Sequence, residues 1–144
     1  MERFLSEKLI RWKDSTRRKP LLIHGVRHAG KTWLMKEFGR TAYKKTAYVS
    51  FISSPQMKGA FDKDCDPRRI LMDIAAWTGV NITPSDTLII LDDTEEVPRA
   101  LESLKYFCEE APEYHVIAAD SFPGPGPYDG ISFPVGKVSE MTLY

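Results

Sequence analysis

The chain has 144 residues, 42% hydrophobic and 28% charged, enough for one domain whose core needs no disulfide or structural metal. Lys and Arg number 20 and so do Asp and Glu, so the zero net charge gives the whole chain no strong pull on nucleic acid or anionic lipid. No apolar run approaches the ~20 residues of a membrane span, and the charged residues 1–8 carry no signal-peptide segment, so a cytoplasmic protein with Cys65 and Cys108 reduced is expected.

Leu5, Leu9 and Trp12 recur at helical spacing and predict a helix over 2–13. Arg17-Arg18-Lys19-Pro20 follows, then a buried strand at about 20–24. A second helix starts near Lys31 and is expected to stop at Gly39. Thr46 to Ile52 reads as a strand. Asp66-Pro67 is a helix start, since Asp accepts from free N–H groups and Pro suits the first turn. Ile70, Ile74 and Trp77 form that helix's expected apolar face. The unbroken apolar run within 87–92 predicts a strand buried on both sides. Pro98 opens another helix with Leu101, Leu104 and Cys108 on one side, and 114–119 is a fourth strand. Residues 122–130, rich in Pro and Gly, read as a surface loop. A last strand is expected within 131–144. This alternation of strands and helices implies an α/β fold with a mostly parallel sheet.

Gly25-Val26-Arg27-His28-Ala29-Gly30-Lys31-Thr32 matches the phosphate-binding pattern GxxxxGK[ST] at every fixed position, with an apolar strand before it and a helix after. Glycines let the backbone curl so that its N–H groups face phosphate oxygens. The following helix adds the positive end of its dipole. Lys31 is placed to reach the β- and γ-phosphates and Thr32 to ligate Mg²⁺. Lys31 is expected to be exposed, so that truncating it would leave no cavity. Trp33 closes the set of nucleotide-contacting positions. His28 reads as an exposed imidazole rather than a catalyst, since nothing pairs it with a nucleophile.

Leu88-Ile89-Ile90-Leu91-Asp92-Asp93, about sixty residues on, is an apolar strand ending in two carboxylates. In a parallel sheet the ligand lies beyond the strand C-termini. That puts Asp92 beside the phosphate loop, within roughly 10 Å of Lys31, where it can hold Mg²⁺ directly or through water.

Residues 18–32, 88–93 and 98–107 together resemble a prokaryotic AAA-type ATPase family whose nucleotide domain normally precedes a C-terminal domain of unknown function. The likeness covers residues 2–144. It implies a three-layer P-loop NTPase core with a five-stranded sheet, one further strand between the Walker A and Walker B strands, and ATP with Mg²⁺ as ligands. On this reading 1–144 is a single nucleotide-binding domain, with an N-terminal helix at 2–13 and a core at 19–144, and the family's helical lid is absent.

The chain departs from the family in its site. Asp93 stands where the resemblance implies a water-polarising Glu, which draws the carboxylate back by about 1.5 Å. Asp120-Ser121 replaces a small residue followed by Ser; Ser121 can still bond the γ-phosphate, while the direction of Asp120 is open. No arginine finger is identifiable, Arg68, Arg69 and Arg99 being candidates by type only. Phe4, Trp12 or Arg17 is left to cover adenine. The expected function is an ATP–Mg²⁺-binding core, with Asp93 and Lys31 as its catalytic pair and weak or absent hydrolysis. Two alternatives stand beside it. One is an interaction module that retains the fold, with a protein partner or self-association. The other is a small P-loop kinase. No guanine-specifying Asn/Thr-Lys-x-Asp is present. The three His and two Cys lack zinc-ligand spacing, and no Cys–His pairing points to a protease. Arg17-Arg18-Lys19 could touch DNA phosphates, against the plainer reading of a solvated turn.

Overall fold

A computed structural model describes residues 2–25, 30–121 and 136–143. The expected loop at 122–130 and the loop positions Val26, Arg27, His28 and Ala29 lie outside the described residues.

The elements run α1 (Glu2–Asp14), β1 (Leu21–Gly25), α2 (Lys31–Ala42), β2 (Lys45–Ser50), a 3-10 turn (Pro55–Lys58), α3 (Gly59–Asp62), α4 (Pro67–Thr78) and β3 (Thr87–Asp92). A second 3-10 turn (Thr94–Glu96), α5 (Pro98–Glu110), β4 (His115–Ala119) and β5 (Ser139–Leu143) complete the described residues. The five strands form one sheet in the order β2-β3-β4-β1-β5. Every pairing is parallel. β4 therefore lies between β1 and β3, the strands that end at Gly25 and at Asp92.

Helices cover both faces. On one face Leu5, Leu9, Trp12, Leu34, Met35 and Phe38 pack against Ile23, Leu88, Ile90 and Ile117. On the other, Phe61, Ile70, Ile74, Leu101, Leu104 and Phe107 pack against Leu22, Val49, Ile89, Leu91 and Val116. Alternate residues of β1 and β3 serve opposite faces, which is why these strands read as unbroken apolar runs. All six residues of β3 are buried.

Three expectations change. Gly39 does not end α2, which continues to Ala42. A Cβ at Gly39 would collide with Thr46 Oγ1, so glycine is there to let α2 approach β2. The buried face of α4 is Ile70, Leu71 and Ile74, while Trp77 is exposed. In α5 it is Phe107, not Cys108, that joins Leu101 and Leu104 in the core. The start of α4 is as expected, with the Asp66 side chain accepting from the Arg68 N–H and Pro67 in the first turn.

Candidate functional site

Parallel strands deliver their C-terminal ends to one edge of the sheet, and the site is built there. β1 ends at Gly25, where a Cβ would lie 2.8 Å from the Leu143 carbonyl oxygen of β5, so only glycine fits. The chain re-enters at Gly30 with φ of 89°, a left-handed conformation that favours glycine and turns the backbone into α2.

Lys31 and Thr32 open α2. Lys31 is 6% exposed, which corrects the expectation of an exposed ammonium. Its Nζ folds back and donates to the Gly25 carbonyl at 2.8 Å. Burial lowers the Lys31 pKa, and the charges of Asp92, Asp120, Glu95 and Asp93 oppose that shift. The ammonium thus sits among four carboxylates.

Thr32 Oγ1 donates to Asp92 Oδ2 at 2.6 Å and joins the start of α2 to the end of β3. Tyr48 of β2 donates its hydroxyl to the same oxygen at 2.7 Å. The Asp93 N–H donates to Asp92 Oδ1 at 2.9 Å. Asp92 is 2% exposed. Burial, and then the contact with Asp92, push the Tyr48 phenol above its ordinary range, so it remains a donor.

Asp93 follows with φ of 61°, a left-handed position outside glycine. Its Oδ2 accepts from Ser50 Oγ at 2.6 Å. Ser50 pairs in register with Asp92 across β2 and β3, so the sheet places this hydroxyl beside the second carboxylate. Thr94 Oγ1 donates to the Ala119 carbonyl, and Glu95 Oε1 accepts the Ser121 N–H at 3.1 Å. These two bonds tie the turn after β3 to the end of β4.

Gly30, Lys31, Thr32, Trp33, Asp92, Asp93 and Ser121 all border one cavity of about 250 Å³. The sequence-derived residues that can be described are thus together, apart from Gly25, which is linked through Lys31. Trp33 is 54% exposed at the cavity rim.

Asp120 does not project freely. It is 1% exposed, and its Oδ2 lies 3.0 Å from His24 Nδ1. His24 Nε2 lies 2.7 Å from Glu140 Oε1 of β5. The bond to Asp120 is the main cause that raises the His24 pKa. Of the other positions considered, Arg69 is bound to Asp64 and Asp73, and the Trp12 indole N–H donates to the Lys19 carbonyl.

Sequence reading missed Tyr48, Ser50, His24 and Glu95. Ser50 and Tyr48 need the β2–β3 register. His24 had a visible signal, a single titratable side chain inside an apolar strand.

The donor set suits Mg²⁺: a threonine hydroxyl and a buried carboxylate supply hard oxygens, a kind of ligand the ion favours. Among the described residues no group of three or more His, Cys, Asp or Glu could hold a metal. The ion's remaining ligands would therefore be water and phosphate oxygens. No helix among the described residues is long and apolar enough to cross a membrane.

The AAA domain family matches residues 17–144. The structure is similar to Orc1 of Aeropyrum pernix, solved in complex with DNA, at a TM-score of 0.57 and 13% identity over 99% of this chain and 44% of that one. It is similar to AMPPCP-bound DnaA of Aquifex aeolicus at a TM-score of 0.53 and 19% identity over 98% of this chain and 45% of that one. The chain thus spans less than half the length of either. No curated protein matches it.

Proposed function

The chain belongs to the AAA domain family, and from that premise we propose that its cavity binds ATP with Mg²⁺ and hydrolyses it slowly. The fold is the nucleotide-binding AAA type. The observation that carries the proposal is the 2.6 Å bond from Thr32 Oγ1 to Asp92 Oδ2. It brings the two motifs, sixty residues apart, to a single point where a cation could lie between the two oxygens, the hydroxyl turning its proton away and keeping it.

In this reading the loop N–H groups and the start of α2 cradle the phosphates. Lys31 exchanges the Gly25 carbonyl for phosphate oxygens. Thr32 and Asp92 hold Mg²⁺, which when bound neutralises charge on the β- and γ-phosphates. Asp92 is aimed by the Tyr48 hydroxyl and the Asp93 N–H. Ser121 stands at the cavity wall for the γ-phosphate. Trp33 offers its ring at the rim.

Slow turnover follows from Asp93. It is one methylene shorter than the glutamate that the family resemblance implies, and its Oδ2 is engaged by Ser50. A carboxylate displaced by ~1 Å from a reacting water can lower the rate ~100-fold. Binding does not use that group.

A thermal-shift series with Mg-ATP, Mg-GTP and no ligand tests the proposal. Ligand at ~100 times Kd adds about 2.7 kcal/mol of apparent stability, a shift of several degrees. A shift with Mg-ATP is expected. No shift with either nucleotide would replace this reading with that of an interaction module.

A further inference from the structure

The zero net charge conceals a segregation. Residues 2–20 hold seven Lys or Arg and three Asp or Glu, a net of +4, so the rest of the chain carries −4. The fold gives this excess a shape. At the N-terminal ends of β1 and β5, opposite the nucleotide cavity, lies a cleft of about 370 Å³. Lys8 and Arg11 of α1 and Arg17 and Arg18 of the turn after it line this cleft, with the hydroxyl-bearing Ser15 and Ser139 between them.

Their internal contacts are to carbonyls and an aromatic ring: Arg18 to two backbone oxygens and Lys8 over the Phe4 ring at 4.7 Å. Among the described residues no carboxylate lies within ion-pair distance of Lys8, Arg11, Arg17 or Arg18. The one acidic residue on the lining is Glu140, and its Oε1 is engaged by His24 at 2.7 Å. Arg18 is fixed by donating to the Lys13 and Pro112 carbonyls, while its buried Nε has no hydrogen-bond partner. Ordinary surface cations are scattered among anions; these converge on one concavity.

We propose that this cleft binds the phosphate backbone of nucleic acid. Guanidinium groups and hydroxyls suit phosphate oxygens. The lining holds no array of paired donors and acceptors for base edges, so binding is insensitive to sequence. A concave row of cations matches a ridge of phosphates better than a flat lipid surface. The site is separate from the nucleotide cavity and does not rest on the function proposed for it.

Fluorescence anisotropy of a labelled duplex of about 20 base pairs, at salt from about 50 to 200 mM, tests the proposal. Wild type is expected to bind with a Kd of roughly 10⁻⁴–10⁻⁶ M at the lower salt, with a log–log salt slope near −3 for three to four neutralised phosphates. The double variant Arg11→Gln/Arg17→Gln should weaken binding at least tenfold at low salt and make the slope shallower by about 2. Both side chains are exposed, so the fold is kept. Lys63→Gln, an exposed charge beyond α3 on the other face of the sheet, should change neither value. The proposal is overturned by absence of binding at low salt, by equal binding of the double variant, by displacement with Mg-ATP, or by capture on anionic vesicles without capture of the duplex.

Discussion

Asp92 ends β3 and Asp120 follows the adjacent β4, and both are buried to within 2% of full enclosure, yet they are held by opposite kinds of partner. Asp92 accepts from two neutral hydroxyls and one backbone N–H. Asp120 meets an imidazole that is shared with Glu140. Hydroxyl and N–H donors fix the direction of the Asp92 carboxylate at the cavity wall. The imidazole on Asp120 has its pKa raised, chiefly by that contact. Equal burial at neighbouring strand ends therefore leaves one carboxylate among hydroxyl donors at a cavity and the other in an imidazole clasp.

Among changes to the two carboxylates and their partners, the largest effect should come from removing the charge at Asp92. Asp92→Asn keeps the volume and the shape but makes the shared site neutral. Mg-ATP affinity measured by calorimetry should fall ten- to a hundredfold, the range of a charged hydrogen-bonding group at about 1.5–3 kcal/mol. Equal affinity in the variant would mean that Asp92 is only a structural junction.

Next comes the second carboxylate. Asp93→Glu restores reach, and Ser50→Ala releases the oxygen held on β2. The double variant should raise phosphate release several-fold over wild type, within the ~100-fold ascribed to a ~1 Å misplacement. Unchanged release would place the limit on turnover elsewhere.

The clasp is expected to show itself in stability against pH, not in nucleotide affinity. The His24 pKa is raised in the fold, chiefly by Asp120. Its contribution is therefore fully present below the unfolded value of about 6.5 and fades as pH rises through the raised folded value. His115 behaves in the opposite sense. Burial pushes it down to about 4, and the Tyr43 hydroxyl is hydrogen-bonded to its Nδ1 at 2.6 Å. The unfolded chain gains that proton first, so His115 costs stability as pH falls from about 6.5 toward 4. Thermal melts of His24→Gln should show a larger deficit at pH about 6 than at about 9. His115→Gln should lessen the loss of stability on acidification. A pH-independent deficit in His24→Gln would remove the ion-pair account of the clasp.

The smallest effect belongs to Tyr48→Phe, which deletes one of three donors to Asp92. A net hydrogen bond of about 1 kcal/mol corresponds to a roughly fivefold loss of Mg-ATP affinity. A loss as large as that of Asp92→Asn would make the phenol, not the charge, the dominant element.

This contrast was only half legible in the sequence. The β3 run and its two terminal carboxylates announce themselves, because burial on both faces enforces unbroken apolarity. The phosphate loop is equally plain, since glycine and lysine are fixed by backbone geometry and charge. Asp120 was visible as a departure but not its direction, which depends on His24 being 96 residues away in sequence and one strand away in space. Gly39 was misread because glycine serves both as a helix stop and as a point of close approach, and only the packing against Thr46 distinguishes them. Lys31 was expected to be exposed because the motif specifies its position, not the carbonyl it rests on when it folds back.

The most direct test of the cavity is calorimetric titration with ATP, in Mg²⁺ and in EDTA, of wild type and of Lys31→Met. Methionine fills the buried space that alanine would leave empty. The account predicts binding by wild type in Mg²⁺, at least tenfold weaker binding in EDTA, and none by Lys31→Met with its circular dichroism unchanged. Absence of binding by wild type, or equal affinity in a folded Lys31→Met, would contradict it.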